Sequence, residues 1–359
     1  MMESVVQPRQ VAKPSRSWHK AAHIEGLPII VVLLLLVGLF MAAAPGVFLR
    51  WPIYLSFLTT VPPMLVLAVG LTMVVAAGEI DLSFPSVLAF SGFLFAWAVG
   101  ATGNAWLGLL LALAGGAFVG FTNGVLIAVV GVPSIITTIG TQFFWAGVAS
   151  ILSGGMSDAL QQLASGSLYA VFAAPLFGVI PMQAVWAVGL TILMWFILNR
   201  HRFGEHVLFI GDNRNVAKVV GINITRETVK LFTLMGLLGG FASVLLTLEN
   251  LNYFSTQGQG YLLPALAGVF IGGTSVFGGT ATMVGTFFGT FIIGMLEAGI
   301  VATGIAGFWV QAIEGVVFVV AVILHLVVES PAKLRAFAGM TGRWHRTAPP
   351  KPEIDGSRS

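Results

Sequence analysis

Apolar stretches long enough to cross a bilayer recur along this chain, and they restrict its folds more than any other feature. A spanning helix needs about 18–20 consecutive apolar residues. Segments of that kind lie near 27–44, 53–77, 84–103, 105–130, 134–153, 183–199, 230–248, 262–278, 282–303 and 308–328. Only 9% of the residues are charged, against about 25% in soluble domains, so the chain cannot clothe its own surface in water. The expected fold is an all-α polytopic membrane protein of about ten transmembrane helices. Many of its 44 glycines fall inside these segments, where small residues let helix backbones approach closely. Gly and Pro interrupt the third, eighth and ninth segments, which predicts broken helices.

Lysine and arginine set the orientation. Of the 17, four precede the first segment, six lie in 200–230, six follow residue 328, and Arg50 is left over. Ten spans with both ends inside put 16 of the 17 on the cytoplasmic side, a strong positive-inside pattern. That partition explains the net charge of +3 with no nucleic acid as partner. The run Leu27–Ala44 behind a basic leader also fits a signal peptide cleaved at Ala42-Ala43-Ala44, but it exceeds the usual apolar core of about 7–15 residues. A retained first helix is expected. The chain therefore divides into a cytoplasmic segment 1–26, a transmembrane domain 27–328 with a cytoplasmic loop at 200–229, and a cytoplasmic tail 329–359. The segment 154–182 reads as an external loop with a short interfacial helix.

Several chemistries have no support. There is no Cys for disulfides, thiolates or Cys-bound metal. No Lys precedes Ser or Thr, so there is no phosphate-binding P-loop, and no His precedes Glu, so the zinc motif is missing. No Gly-x-Ser-x-Gly elbow occurs. The six His read as solvated or interfacial. The expectation is a chain with no catalytic, metal or cofactor site of its own.

The stretch Gly78-Glu-Ile-Asp-Leu-Ser-Phe-Pro85 puts two carboxylates and a proline between apolar runs. Glu79 and Asp81 are two residues apart, which on a helix points them apart and makes a poor acid/base or metal pair. Ser83 and Asp81 are good N-cap residues, and Pro85 fits a first helical turn. The stretch reads as a helix end, an irregular break and a new helix from about Ser83. Glu79, Asp81 and Ser83 are candidates for a path or gate, with a capping role as the alternative. Asn123, Thr137, Gln142 and Gln311 are polar candidates for the same cavity, or else helix–helix glue. Gly258–Gly268 resembles the Gly78 stretch, and Gly116-Ala-Phe-Val-Gly120 resembles Gly285-Thr-Phe-Phe-Gly289. Pairing spans 2–5 with 7–10 in this way predicts an inverted repeat, where interrupted segments mark a path.

The loop after the sixth span ends in a short helix. Asp212 or Asn213 can cap it, Gly221 can end it, and Val216, Ala217, Val219 and Val220 form an apolar stripe. So short a helix is marginal alone and needs a surface to dock on.

Four pieces of the chain resemble, in order, the permease subunits of ribose- and xylose-type sugar ABC importers. They are Gly78 to Ser83; Val132-Pro133 through Thr137, Thr138 and Gly140, with one extra residue; Phe203-Gly204, Ile210-Gly211-Asp212-Asn213, Ala217 and Gly221-Ile222; and Ile271 to Gly279. The chain departs from the pattern at Glu79, where the family usually has Gly, and at Phe84-Pro85. It departs again at Arg214-Asn215, where the family often has an acidic pair. The resemblance implies a type II importer-like permease in a bacterial inner membrane, with both termini cytoplasmic. It also implies partners: ABC ATPase subunits that use ATP and Mg, an extracytoplasmic solute-binding protein, and a second copy or homologous permease. The loop helix, with Gly211, Asp212, Asn213, Val216, Ala217, Val220 and Gly221, would be the ATPase-coupling element. The alternatives are an ion-coupled secondary transporter using Glu297 and Glu314, or an ABC permease for branched-chain amino acids or urea.

Overall fold

The computed structural model describes residues 26–329, with side-chain surroundings as far as residue 323. The expected cytoplasmic leader and tail, and His325, lie outside those limits. The chain runs through α1 (Leu27–Ala43), α2 (Pro45–Phe48), α3 (Trp51–Ala76), α4 (Phe84–Thr102), α5 (Ala105–Val125, continued by a π turn Leu126–Val130) and α6 (Ser134–Ser153). A connection carrying β1 (Ser157–Ala159), α7 (Ser167–Phe172), β2 (Pro175–Leu176) and β3 (Ile180–Pro181) follows. Next come α8 (Met182–Arg200), α9 (Arg202–Asp212), α10 (Arg214–Val219), α11 (Ile224–Asn250) and β4 (Asn252–Phe254). The last three helices among the described residues are α12 (Leu262–Ile271), α13 (Met283–Ala302) and α14 (Phe308–Glu329).

Among the described residues, seven helices are long and apolar enough to cross a membrane: α3, α4, α5 with its π turn, α6, α8, α11 and α13. Three shorter apolar helices, Leu27–Ala43, Gln259–Ile271 and Phe308–Ile323, stand beside them. By length and composition the count is thus seven, not about ten. Two of the shortfalls have local causes. Only Ala44 separates Pro45 from α1, and as the residue before proline it is pushed out of the helical region, at φ −135° and ψ 62°. The expected segment 262–278 stops at Ile271 because Gly273, at φ 92°, turns the backbone left-handed.

α3 forms the centre, with every residue from Val61 to Ala76 buried. α5 and α11 cross at backbone contact: a Cβ on Gly236 would overlap the Gly116 carbonyl oxygen. Gly285 and Gly289 make a similar approach, but to Gly272 and Gly268 of α12. The two look-alike glycine pairs therefore serve different helix partners.

The two ends of the bundle differ. At one end the α3–α4 turn, the end of α9 and the connection 272–282 lie against each other. At the other, β1 pairs antiparallel with β4, joining the 154–181 connection to the segment after α11. From β4 the backbone dips into the bundle without forming a helix. Gln257 is buried there, donating from Nε2 to the Ser243 carbonyl (3.1 Å) and Oγ (2.9 Å). Gly258 lies against the Pro85 carbonyl and Leu88. Irregular backbone of this kind is tolerated in a bilayer only where protein satisfies it. Here turn bonds do so, such as the Gln257 N–H to the Phe254 carbonyl (2.9 Å), while the Gln257 side chain anchors the segment to α11. α12 thus begins part-way through the bundle. The connection 154–181, expected to carry a short helix, contains the six-residue α7.

Candidate functional site

The α3–α4 turn is held as a polar knot at the basic end of the bundle. After Ala77 the backbone runs without helix through Gly78–Ser83. Asp81 Oδ1 accepts from the Ser83 N–H (2.7 Å) and the Ser83 hydroxyl (2.6 Å). Asn123 Nδ2 donates to Ser83 Oγ (2.8 Å), bringing α5 in. The Ile80 N–H donates to Ser134 Oγ (3.2 Å), and the Ser86 N–H donates to Gln142 Oε1 (2.9 Å), both on α6. Burial pushes the Asp81 carboxyl above its usual range, while its hydrogen bonds from Ser83 oppose that shift. Ser83 is the N-cap residue of α4 with Pro85 in the first turn, so the expected restart of the helix is where the residues put it. The carboxylates lie at the end of the bundle and yet are buried, Glu79 at 5% exposure.

Two segments, the end of α9 and the connection 272–282, close on this turn at backbone contact. The Gly279 N–H donates to the Ala76 carbonyl (2.9 Å). A Cβ on Gly211 would overlap that same carbonyl, and one on Gly278 would press on the Gly78 amide. Only glycine fits there, which gives a physical reason for three separated Gly motifs. Arg214 adds a charged link, its Nη2 donating to Glu79 Oε1 at 2.6 Å.

The loop is more helical than its sequence pattern indicates. α9 is a full helix burying Gly204, Val207 and Ile210, an i, i+3, i+6 spacing that was the available signal. Gly204 sits against the Ile197 and Leu198 carbonyls of α8, and Lys230 lies over the Phe203 ring. Of the two candidate caps for α10, Asn213 accepts from the Asn215 and Val216 N–H groups, while Asp212 is the last residue of α9. Gly221, at φ 86°, follows the helix as expected. The valine stripe divides: Ala217 is fully buried against its own chain, whereas Val216, Val219 and Val220 are exposed, Val219 by 88%. Ala217 is therefore not part of the free face.

Thr137 is buried on α6, its hydroxyl without a partner within the protein among the described residues. Gln311 is not at the junction. It lines a cavity of about 1010 Å³ toward the opposite end, together with Glu249, Glu297, Glu314, Tyr261 and Thr60. Glu249 and Tyr261 escaped sequence reasoning because each looks like an ordinary helix-end residue until α12 begins beside it.

Residues 53–322 match the family described as branched-chain amino acid transport system / permease component. The chain belongs to this permease family. The permease is 30% identical to the ribose import permease protein RbsC of Escherichia coli over 296 residues, which is 82% of this chain and 92% of that protein. It is 37% identical to RbsC of Bacillus subtilis over 40% of this chain and 45% of that one. It is 33% identical to the fructose import permease protein FrcC of Rhizobium meliloti over 37% of each. No solved structure shows a significant match. Among the described residues of the permease no group of His, Asp or Glu is placed to hold a metal ion.

Proposed function

We propose that this permease is the membrane subunit of an ATP-driven importer for a monosaccharide, a pentose or related sugar. The observation that carries this reading is α10: a short capped helix with exposed Val216, Val219 and Val220, packed on α9 and tied by Arg214 to Glu79 in the turn before α4. A helix of six residues offers too little propensity to stand alone, and an exposed apolar face at a membrane protein's basic end fits a soluble partner. That partner is an ABC ATPase that binds ATP and Mg. The names of the relatives favour sugars over branched-chain amino acids or urea. The three shorter apolar helices complete ten passes with the termini and the loop cytoplasmic, as the Lys and Arg partition requires. The two halves form an inverted pair in which α12 is the broken member. The solute arrives from an extracytoplasmic binding protein, and a second copy of the chain closes the path. The cavity beside Gln311 is its outer part, and Glu79, Asp81, Ser83 and Asn123 lie at its inner gate.

One observation favours an ion-coupled carrier instead: Glu249, Glu297 and Glu314 share one cavity, and intramembrane carboxylates are common proton-coupling groups. Reconstitution with the ATPase and binding protein separates the readings. The importer takes up labelled ribose, fructose or galactose only with ATP inside the partner compartment, and ignores leucine and urea. Uptake driven by a proton gradient in the absence of the ATPase would establish the carrier.

A further inference from the structure

The two charged positions at which the chain departs from the sugar-permease pattern touch each other. Glu79 stands where glycine is usual and Arg214 where an acid is usual, and the structure joins them at 2.6 Å. The pair is asymmetric: the Glu79 side chain is 6% exposed and the Arg214 side chain 51%. The acid is therefore built into the junction, and the base reaches into it from the loop. Arg214 is also the first residue of α10, behind the Asn213 cap. A positive charge there opposes the helix dipole, so its placement is not explained by α10 itself. Its one ion pair among the described residues is the pair with Glu79.

The geometry points to Arg214 as a positioning residue that ties the loop helix to the α3–α4 turn and passes movement of α10 to the helices behind it. This rests on the importer reading, in which a partner pushes on the exposed valines. Glu79 is the entrance to a polar chain. Its neighbour Ile80 is held by Ser134, Asp81 holds Ser83, Ser83 accepts from Asn123, and Ser86 is held by Gln142. A displacement of Arg214 therefore reaches α4, α5 and α6 through consecutive residues. The backbone contacts at Gly78, Gly211 and Gly278, with the Gly279 N–H bond to the Ala76 carbonyl, set how close α9 and the 272–282 connection lie to the turn, but none of them involves α10. The ion pair does, and it is directional.

The chain has no Cys, so spin labels can be placed at will. Nitroxides at Lys218 and Val130, both exposed and neither among the docking valines, report the distance from α10 to the basic end of α5. Glu79→Gln, Arg214→Gln and the double variant are compared in the assembled complex by distance distribution and by ATP-driven uptake of labelled ribose, fructose and galactose. Each single variant broadens the distribution and lowers uptake about tenfold, and the double variant is no worse than either, the mark of a direct pair. Arg214→Lys, which keeps one donor, restores most of the uptake. Should Arg214→Gln fail to fold because it strands a buried carboxylate, its rescue in the Glu79→Gln background supports the same pairing. Losses that multiply to about a hundredfold in the double variant, or an unchanged distance distribution in Arg214→Gln, would overturn the tie. A wild-type complex that carries none of the three sugars would sink the importer reading instead, and the distance cycle would still decide the tie.

Discussion

At the scale of single residues, Asp81 shows how one carboxylate builds a local structure. It accepts two hydrogen bonds from Ser83 and in doing so fixes the start of α4. The cost is a buried charge, and the upward shift of its pKa expresses that cost. The sign of the pH effect follows from linkage. An acid with its folded pKa above the unfolded 3.8 binds protons more tightly when folded, so stability falls as pH rises between the two values. Asp81→Asn keeps an acceptor for Ser83 and removes the titration. Its melting temperature relative to the wild type should therefore rise with pH through that window and then level off. Parallel melting curves across the pH series would show that Asp81 does not titrate on folding. The candidate residues Asp81, Ser83, Asn123 and Gln142 were legible because polar groups in apolar segments must find partners. The Glu79–Arg214 pair was not legible as a contact, since nothing local to either residue points across their sequence separation of 135.

At the scale of elements, α10 separates two kinds of position that its sequence pattern merges. Val216, Ala217, Val219 and Val220 look like one stripe, but a helix that caps a junction has an inward and an outward face. Ala217 takes the inward one. Ala217→Glu should then disrupt the permease itself, because a buried unpaired carboxylate costs at least several kcal/mol, roughly the penalty per desolvated ion. Val219→Glu changes an exposed residue and should alter stability by no more than about 0.5 kcal/mol, while abolishing co-purification with the ATPase. Comparing membrane yield with ATPase recovery for the two variants checks both statements, and the reverse pattern would reverse the assignment of faces. The crossing of α5 and α11 gives a second test. Gly236→Val places a branched Cβ where the Gly116 carbonyl lies, so thermal stability in detergent should drop by about 1–3 kcal/mol or more, the cost of overpacking. Seven of the ten expected apolar segments were readable as long helices because hydropathy decides them, whereas the ends of α1 and α12 depend on Pro45 and Gly273. α9 was hidden because its apolar positions are few, and α12 because its start depends on Gln257 finding Ser243 across the bundle.

At the scale of the whole molecule, the junction and the cavity lie at opposite ends. Four motifs spread over residues 78–279 converge at the basic end, while the Gln311 cavity lies toward the end where β1 pairs with β4. That separation is what a gated path requires: a chamber open to one side and a controlled turn at the other, linked by helices rather than by a continuous channel. Orientation is then the quantity on which the mechanism depends, and it rests on where Lys and Arg lie. With no Cys in the chain, single cysteines at Arg50, Gln311 and Val219 report it directly. An impermeant thiol reagent applied to intact cells should label positions 50 and 311 and leave 219 unlabelled until the membrane is opened. A bulky adduct at 311 should also slow uptake, because Gln311 lines the cavity, whereas the adduct at 50 should not. Labelling of 219 from outside would invert the molecule and place the loop helix where no ATPase can reach it. Labelling of 311 only after permeabilisation would move the cavity to the cytoplasmic side. Either result leaves the packing of the junction intact and removes the importer mechanism built on it, because the same contacts would then face the wrong compartments.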